Sequence, residues 1–217
     1  MPEPAARLYL VSPMIDDADA FAPRLAAACR AGDVAAVLLR LQPADARTLV
    51  NRIKALAPAA QETGAAVLIE APGESDLASV AARGGADGVH ATGDLAVLRA
   101  MRERLKGERI LGIGGLRSKH DAMTAGEAGV DYVMFGEPRP DGSSAPLESL
   151  ADRAAWWAEI FETPCVACAP SVEAVARLAG TGAEFVALGD AVWTHPDGPA
   201  AAVKAALERL TTKEIAR

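Results

Sequence analysis

Gly85-Ala86-Asp87-Gly88-Val89-His90 decides the fold, because the same phrase returns. Gly129-Val130-Asp131-Tyr132-Val133 and Gly182-Ala183-Glu184-Phe185-Val186 repeat its order of glycine, small residue, acid, any residue, valine. Gly32-Asp33-Val34-Ala35-Ala36-Val37 is a looser copy. In each copy an alanine-rich helical stretch runs up to a glycine suited to a left-handed helix cap, and a short β-branched run follows. The copies lie roughly 45 to 55 residues apart, about the length of two βα units, so they mark alternate strands of one (β/α)8 barrel.

Around those anchors, strands are predicted at Leu8 to Val11, Val34 to Leu41, Ala66 to Glu70 and Gly88 to His90, then Arg109 to Ile113, Tyr132 to Phe135, Cys165 to Ala167 and Phe185 to Leu188. Helical patterns fall between them: Phe21 to Arg30, Ala44 to Glu62, Ser75 to Arg83 and Asp94 to Lys106, then His120 to Gly126, Leu147 to Phe161, Val172 to Leu178 and Ala200 to Thr211. Continuous apolar strands alternating with amphipathic helices require a parallel sheet covered on both faces. Eight such pairs without a linker favour a closed α/β TIM barrel, a single domain over residues 1–217, above an open doubly wound sheet.

Composition sets limits on function. Net charge is −7 with no basic stretch, which argues against nucleic-acid or membrane-surface partners. No run is long and apolar enough to span a bilayer, and the N-terminus lacks the basic and apolar regions of a signal peptide, so a cytoplasmic location is expected. Aromatics are only 4% of the chain, so the core must be packed mainly with Ala, Val and Leu. Cys165 and Cys168 are spaced C-x-x-C, but on one strand they point to opposite faces and read as buried thiols rather than a metal or redox pair. Adjacent Trp156 and Trp157 point in different directions from their helix; one packs on the barrel, and the other leaves a subunit contact, hence a homo-oligomer, open.

Barrel chemistry gathers at the C-terminal strand ends, which limits the candidates. Arg40 closes strand 2, where a guanidinium in an apolar strand must meet an anion or a carboxylate. Glu70 closes strand 3 and can hold a metal, pair with Arg40 or face solvent. His90 closes strand 4 and reads first as a core histidine satisfied by hydrogen bonds. Asp94 is a helix cap or a metal ligand. Gly112-Ile113-Gly114-Gly115 lets a ligand approach the backbone. Residues 136–146 form the longest loop at this face, a candidate lid in which Glu137 and Arg139 can reach a ligand. After strands 7 and 8 stand Ala169-Pro170-Ser171 and Gly189-Asp190. A phosphate cup is disfavoured there, because Pro170 has no N–H and Asp190 is negative, although Asp190 suits a helix N-cap.

The chain resembles the family of thiamine phosphate synthase and the related thiazole tautomerase. The likeness rests on Leu38-Leu39-Arg40-Leu41-Gln42, on the Gly85 to His90 phrase, on Val130 to Gly136 and on Gly182 to Leu188. The resemblance implies coupling of a hydroxymethylpyrimidine pyrophosphate to a thiazole phosphate, with Mg2+ assisting pyrophosphate departure. It implies Arg40, Gln42, Gly114, Arg139, Ser171 and Gly189 as substrate-binding residues and Glu70 and Asp94 as metal ligands.

Several positions depart from the family pattern. Leu38 and Gln42 replace the glutamine and lysine of a Gln-x-Arg-x-Lys signature, and Glu70-Ala71 replace Asn-Asp. Asp141 to Ser144 replace Thr-x-Thr-Lys, and Ala169-Pro170 and Asp190 replace the phosphate cup. Glu137 stands where the tautomerase has its proton-transferring histidine. A divergent member of weak or absent synthase activity is expected. Its partner would be a small molecule: a thiazole or pyrimidine phosphate, or an unphosphorylated relative. Proton transfer with Glu137 as base and Arg40 orienting the ligand is the alternative, as is non-catalytic binding of thiamine-related ligands.

Overall fold

The computed structural model describes residues 6–92, 95–105, 109–137 and 145–211. Its eight strands, β1 (Arg7–Ile15), β2 (Val34–Leu41), β3 (Ala66–Glu70), β4 (Gly88–Thr92), β5 (Ile110–Gly114), β6 (Tyr132–Phe135), β7 (Cys165–Ala169) and β8 (Phe185–Leu188), are parallel and close into a barrel in chain order. Helices α1 (Ala18–Cys29), α2 (Ala46–Gln61), α3 (Leu77–Gly84), α4 (Leu98–Leu105), α5 (Lys119–Glu127), α6 (Leu147–Ile160), α7 (Val175–Ala179), α8 (Asp190–Trp193) and α9 (Pro199–Thr211) surround it. No helix among the described residues is long and apolar enough to cross a membrane.

The repeated phrase has a structural cause at each position. Gly85, Gly129 and Gly182 have φ of 85°, 80° and 86°, so each turns the chain out of its helix where a Cβ would be strained. The acid then reaches the preceding strand. Asp87 accepts from the Val67 N–H at 2.7 Å, Asp131 from the Leu111 N–H at 2.7 Å and Glu184 from the Cys165 N–H at 2.8 Å. A parallel sheet leaves such N–H groups unpaired at its N-terminal edge, and the carboxylates satisfy them. Gly32 corrects the expectation for the looser copy. It is not left-handed; a side chain there would meet the end of the Leu207 side chain of α9.

Strand alternation sorts the side chains into two layers. Outward residues such as Leu39, Ile69, Val89 and Cys165 join the helices in one continuous core, while Tyr9, Leu38, Leu68, Tyr132, Met134 and Val166 fill the lumen. Cys165 and Cys168 do fall in different layers, and the chain's cysteines are free thiols. Trp157 is fully buried and donates to the Thr163 carbonyl at 2.7 Å, whereas Trp156 is half-buried beneath the Lys119 ammonium.

Other expectations need correction. β1 does not stop at Val11 but continues through Pro13 by a bulge, with register shifts between Val11 and Met14. Pro13 cannot pair, and the buried Ser12 hydroxyl takes the Arg40 N–H at 2.8 Å in place of a ladder bond. The helix expected over 94–106 begins with a tight 3-10 turn, Leu95–Val97, before α4. The helix expected from Val172 starts at Val175, and α8 was not anticipated. Gly189, not Asp190, occupies the N-cap of α8, so Asp190 lies inside that helix.

Candidate active site

Two groups of polar side chains meet at the C-terminal end of the lumen. The first is an ion pair. Arg40 Nε donates to Glu70 Oε2 at 2.9 Å, and Thr92 Oγ1 donates to Glu70 Oε1 at 3.0 Å. β2, β3 and β4 are neighbours, and residues 40 and 70 stand directly opposite in register, so the pairing follows from strand order. The Arg40 side chain is 37% exposed and that of Glu70 14%. Of the alternatives left open for both residues, the structure selects the one in which they meet.

The second group is a chain of hydrogen bonds through the lumen. Tyr9 Oη lies 2.9 Å from Tyr132 Oη, which lies 2.8 Å from His90 Nδ1. His90 Nε2 lies 3.2 Å from Glu137 Oε1, and Glu137 Oε2 accepts from the Gly115 N–H at 2.8 Å. A carboxylate only accepts, and with a neutral imidazole this sets the direction of every bond. His90 donates from Nε2 to Glu137, Tyr132 donates to the bare Nδ1, and Tyr9 donates to Tyr132. Burial pushes both phenols well above their ordinary value of 10.0, with Glu137 adding to the shift, so they remain neutral donors.

Glycines make the room. A side chain at Gly112 would overlap the Tyr132 ring, and one at Gly114 would overlap the Glu137 carboxylate. Cys168 also faces the lumen; burial and the nearby Glu137 push its thiol well up, with Arg40 opposing.

The structure therefore brings together Arg40, Glu70, His90, Gly114 and Glu137 from the sequence-based candidates. His90 is satisfied in the core, as expected, yet its second nitrogen holds Glu137. Gln42 is exposed just beyond β2. Ser171 is not with this group. It lines a separate cleft of about 350 Å³ with Glu173, Thr194, His195, Glu208 and Arg209, and neither Arg40, Glu70, His90 nor Glu137 borders that cleft. Gly189 caps α8 at the end of β8. Asp94, Arg139 and loop positions 138–144 lie outside the described residues.

Sequence reading missed Tyr9, Tyr132, Thr92 and Cys168. The usable signal was that both tyrosines of the chain sit on predicted strands, where a buried hydroxyl demands a partner.

Among the described residues no group of three or more His, Cys, Asp or Glu is placed to hold a metal ion. Glu70 as found is committed to a guanidinium and a hydroxyl, so the described residues do not by themselves fit Mg2+, which takes one or two carboxylates plus waters.

Residues 8–192 match the family model described as thiamine monophosphate synthase. The chain is 42% identical over 200 residues to the thiamine-phosphate synthase of Rhodospirillum centenum, covering 91% of this chain and 94% of that one. It is 39% identical over 215 residues to the thiamine-phosphate synthase of Hyphomonas neptunium, covering 94% and 93%. The solved thiamine phosphate pyrophosphorylase of Pyrococcus furiosus superposes with a TM-score of 0.76 at 21% identity over 96% of both chains, a likeness of fold.

Proposed function

The chain belongs to the thiamine monophosphate synthase family, and from that premise we propose that it binds the pyrimidine and thiazole precursors of thiamine phosphate at the C-terminal mouth while coupling them weakly. One observation carries the second half of this reading: the Arg40–Glu70 pair. A guanidinium joined to a carboxylate at 2.9 Å presents little net charge to a departing pyrophosphate. Its other N–H groups make no hydrogen bond among the described residues and can still orient a ligand. No lysine stands at position 42, and Pro170 and Asp190 occupy the strand 7 and 8 ends.

A charge-assisted hydrogen bond contributes about 1.5–3 kcal/mol, and each ~1.36 kcal/mol off a barrier is tenfold in rate. Losing two lysines and a phosphate cup therefore lowers phosphate-dependent turnover by at least ~10³-fold. The assay uses both substrates with Mg2+, beside a synthase carrying the Gln-x-Arg-x-Lys signature. Comparable turnover would refute the weak-coupling reading.

Mg2+ enters only as the alternative in which Glu70 leaves Arg40 to hold the ion with Asp94; a calorimetric titration of magnesium chloride tests it, and tight binding would also undo the charge cancellation on which weak coupling rests. A cytoplasmic location is part of the same reading.

A second reading is favoured by the clamp on Glu137. A carboxylate held between His90 and the Gly115 N–H, with 22% of its side chain exposed, is placed to move a proton on a bound heterocycle. Glu137→Gln would then abolish tautomerisation. Thermal stabilisation by precursors without any turnover would instead support binding alone.

A further inference from the structure

Gly114 and Glu137, which stands where the tautomerase has its histidine, are one feature in three dimensions. The Glu137 carboxylate lies in the space that a side chain at position 114 would fill. It is held there by His90 Nε2 at 3.2 Å and the Gly115 N–H at 2.8 Å, and His90 is held in turn by Tyr132 and Tyr9. His90 is 1% exposed, so its ring cannot itself meet a ligand, whereas Glu137 is partly open. With a neutral imidazole every donor in this line points toward the carboxylate, and each carboxylate oxygen keeps a lone pair beyond the protein bond it accepts.

We infer that Glu137 selects the ligand by accepting an N–H from a heteroaromatic edge, an amino group or a protonated ring nitrogen. Gly114 is then a specificity-determining residue, and His90 is a positioning residue acting through Glu137. This rests on the reading that the mouth binds pyrimidine or thiazole precursors, and it names the edge that is recognised. A phosphate oxygen is excluded from this point by like-charge repulsion. An amino group is matched, and a ring lacking it leaves the carboxylate desolvated without a partner.

The test is a pair of unphosphorylated probes, a hydroxymethyl-substituted aminopyrimidine and the same ring without its amino group, titrated into the whole protein. The wild type is expected to prefer the aminopyrimidine by ~10-fold or more. Gly114→Ser displaces the carboxylate, and His90→Leu removes its anchor; each should bring the ratio close to one. His90→Gln, which can still donate to Glu137 and accept from Tyr132, should restore most of it.

A purely structural role for His90 would lower the melting temperature and weaken both probes equally, leaving the ratio intact. Where Gly114→Ser fails to fold, Glu137→Ala removes the carboxylate without intrusion, and its ratio decides. Equal wild-type affinities, a ratio that survives in these variants, or no binding of either ring at millimolar concentration overturns the inference. Turnover does not enter the measurement, so normal synthase activity would refute weak coupling while leaving this selection standing.

Discussion

At the N-terminal rim of the barrel one contact is made three times, a carboxylate on a neighbouring strand's N–H, whereas among the described residues of the C-terminal rim no contact is repeated. Each lower carboxylate takes a backbone N–H, which every residue but proline supplies, with Gln61 on Asp87 and Arg102 on Asp131 as additions. The upper ones, Glu70 and Glu137, add to the one Gly115 N–H a guanidinium, a hydroxyl and an imidazole, which only particular residues supply. The lower rim therefore supports stability and the upper rim selection, the division of labour usual in this fold.

Removing a lower carboxylate should have the largest effect on folding. Asp87→Ala leaves the Val67 N–H without its acceptor and takes a partner from Gln61, at a cost of about 1–3 kcal/mol. Denaturant unfolding measures that loss, and probe binding at the mouth should be unchanged. An unaltered midpoint would break the account of the lower rim.

The mouth should respond the other way. Glu70→Gln removes the charge opposing Arg40, so inorganic pyrophosphate is expected to bind roughly fivefold to tenfold more tightly. Stability should change by less than ~1 kcal/mol, because Arg40 is more than a third exposed and solvent already screens the pair. Calorimetry with pyrophosphate reads the first effect and thermal unfolding the second.

The lumen between the rims is open to an optical test. The chain has two tyrosines, and both are held neutral there. Below their ordinary value of 10.0 the folded and unfolded states bind the same phenolic protons; above it the unfolded chain releases them and the folded one does not. Stability accordingly falls as pH rises past about 10. Phenolate absorbance should appear only together with cooperative unfolding. A gradual rise in the folded protein would show the lumen to be wetter than described.

The smallest contrast sharpens the rim comparison within the repeat itself. Gly85→Ala strains a backbone at φ of 85° and should cost about 1 kcal/mol. Gly32→Ala meets only the end of the Leu207 side chain, which can turn aside, and should cost less. Reversal of that order in paired melting curves would show that the loose copy shares the left-handed role after all.

Much of the framework was legible because its causes are local. The spans of β2, β3, β6 and β8 follow from apolar runs bounded by glycine and acid, and the observed strands have those bounds. Where β1 continues through Pro13, the reading stopped short, because a bulge with a serine hydroxyl standing in for the ladder is a pairing property and not a chain property. Asp190 was misplaced by one residue at a four-residue helix whose existence depends on packing: Trp193 lies tilted against Phe21 and donates to the Val11 carbonyl. Arg40 and Glu70 were both visible as strand ends and their pairing was one of the alternatives, but the choice among them was not legible.

Strand order, closure and the face each residue takes were set by the chain alone, since glycine spacing and two-residue alternation act over a few bonds. Only the folded barrel could decide that Tyr9, Tyr132, His90 and Glu137 form one hydrogen-bonded line, because they come from three strands and a loop, with bonded partners up to 123 positions apart. Closing the sheet places each polar atom within 3.2 Å of the next in a lumen where an unpartnered polar group is costly, and there each must satisfy its neighbour.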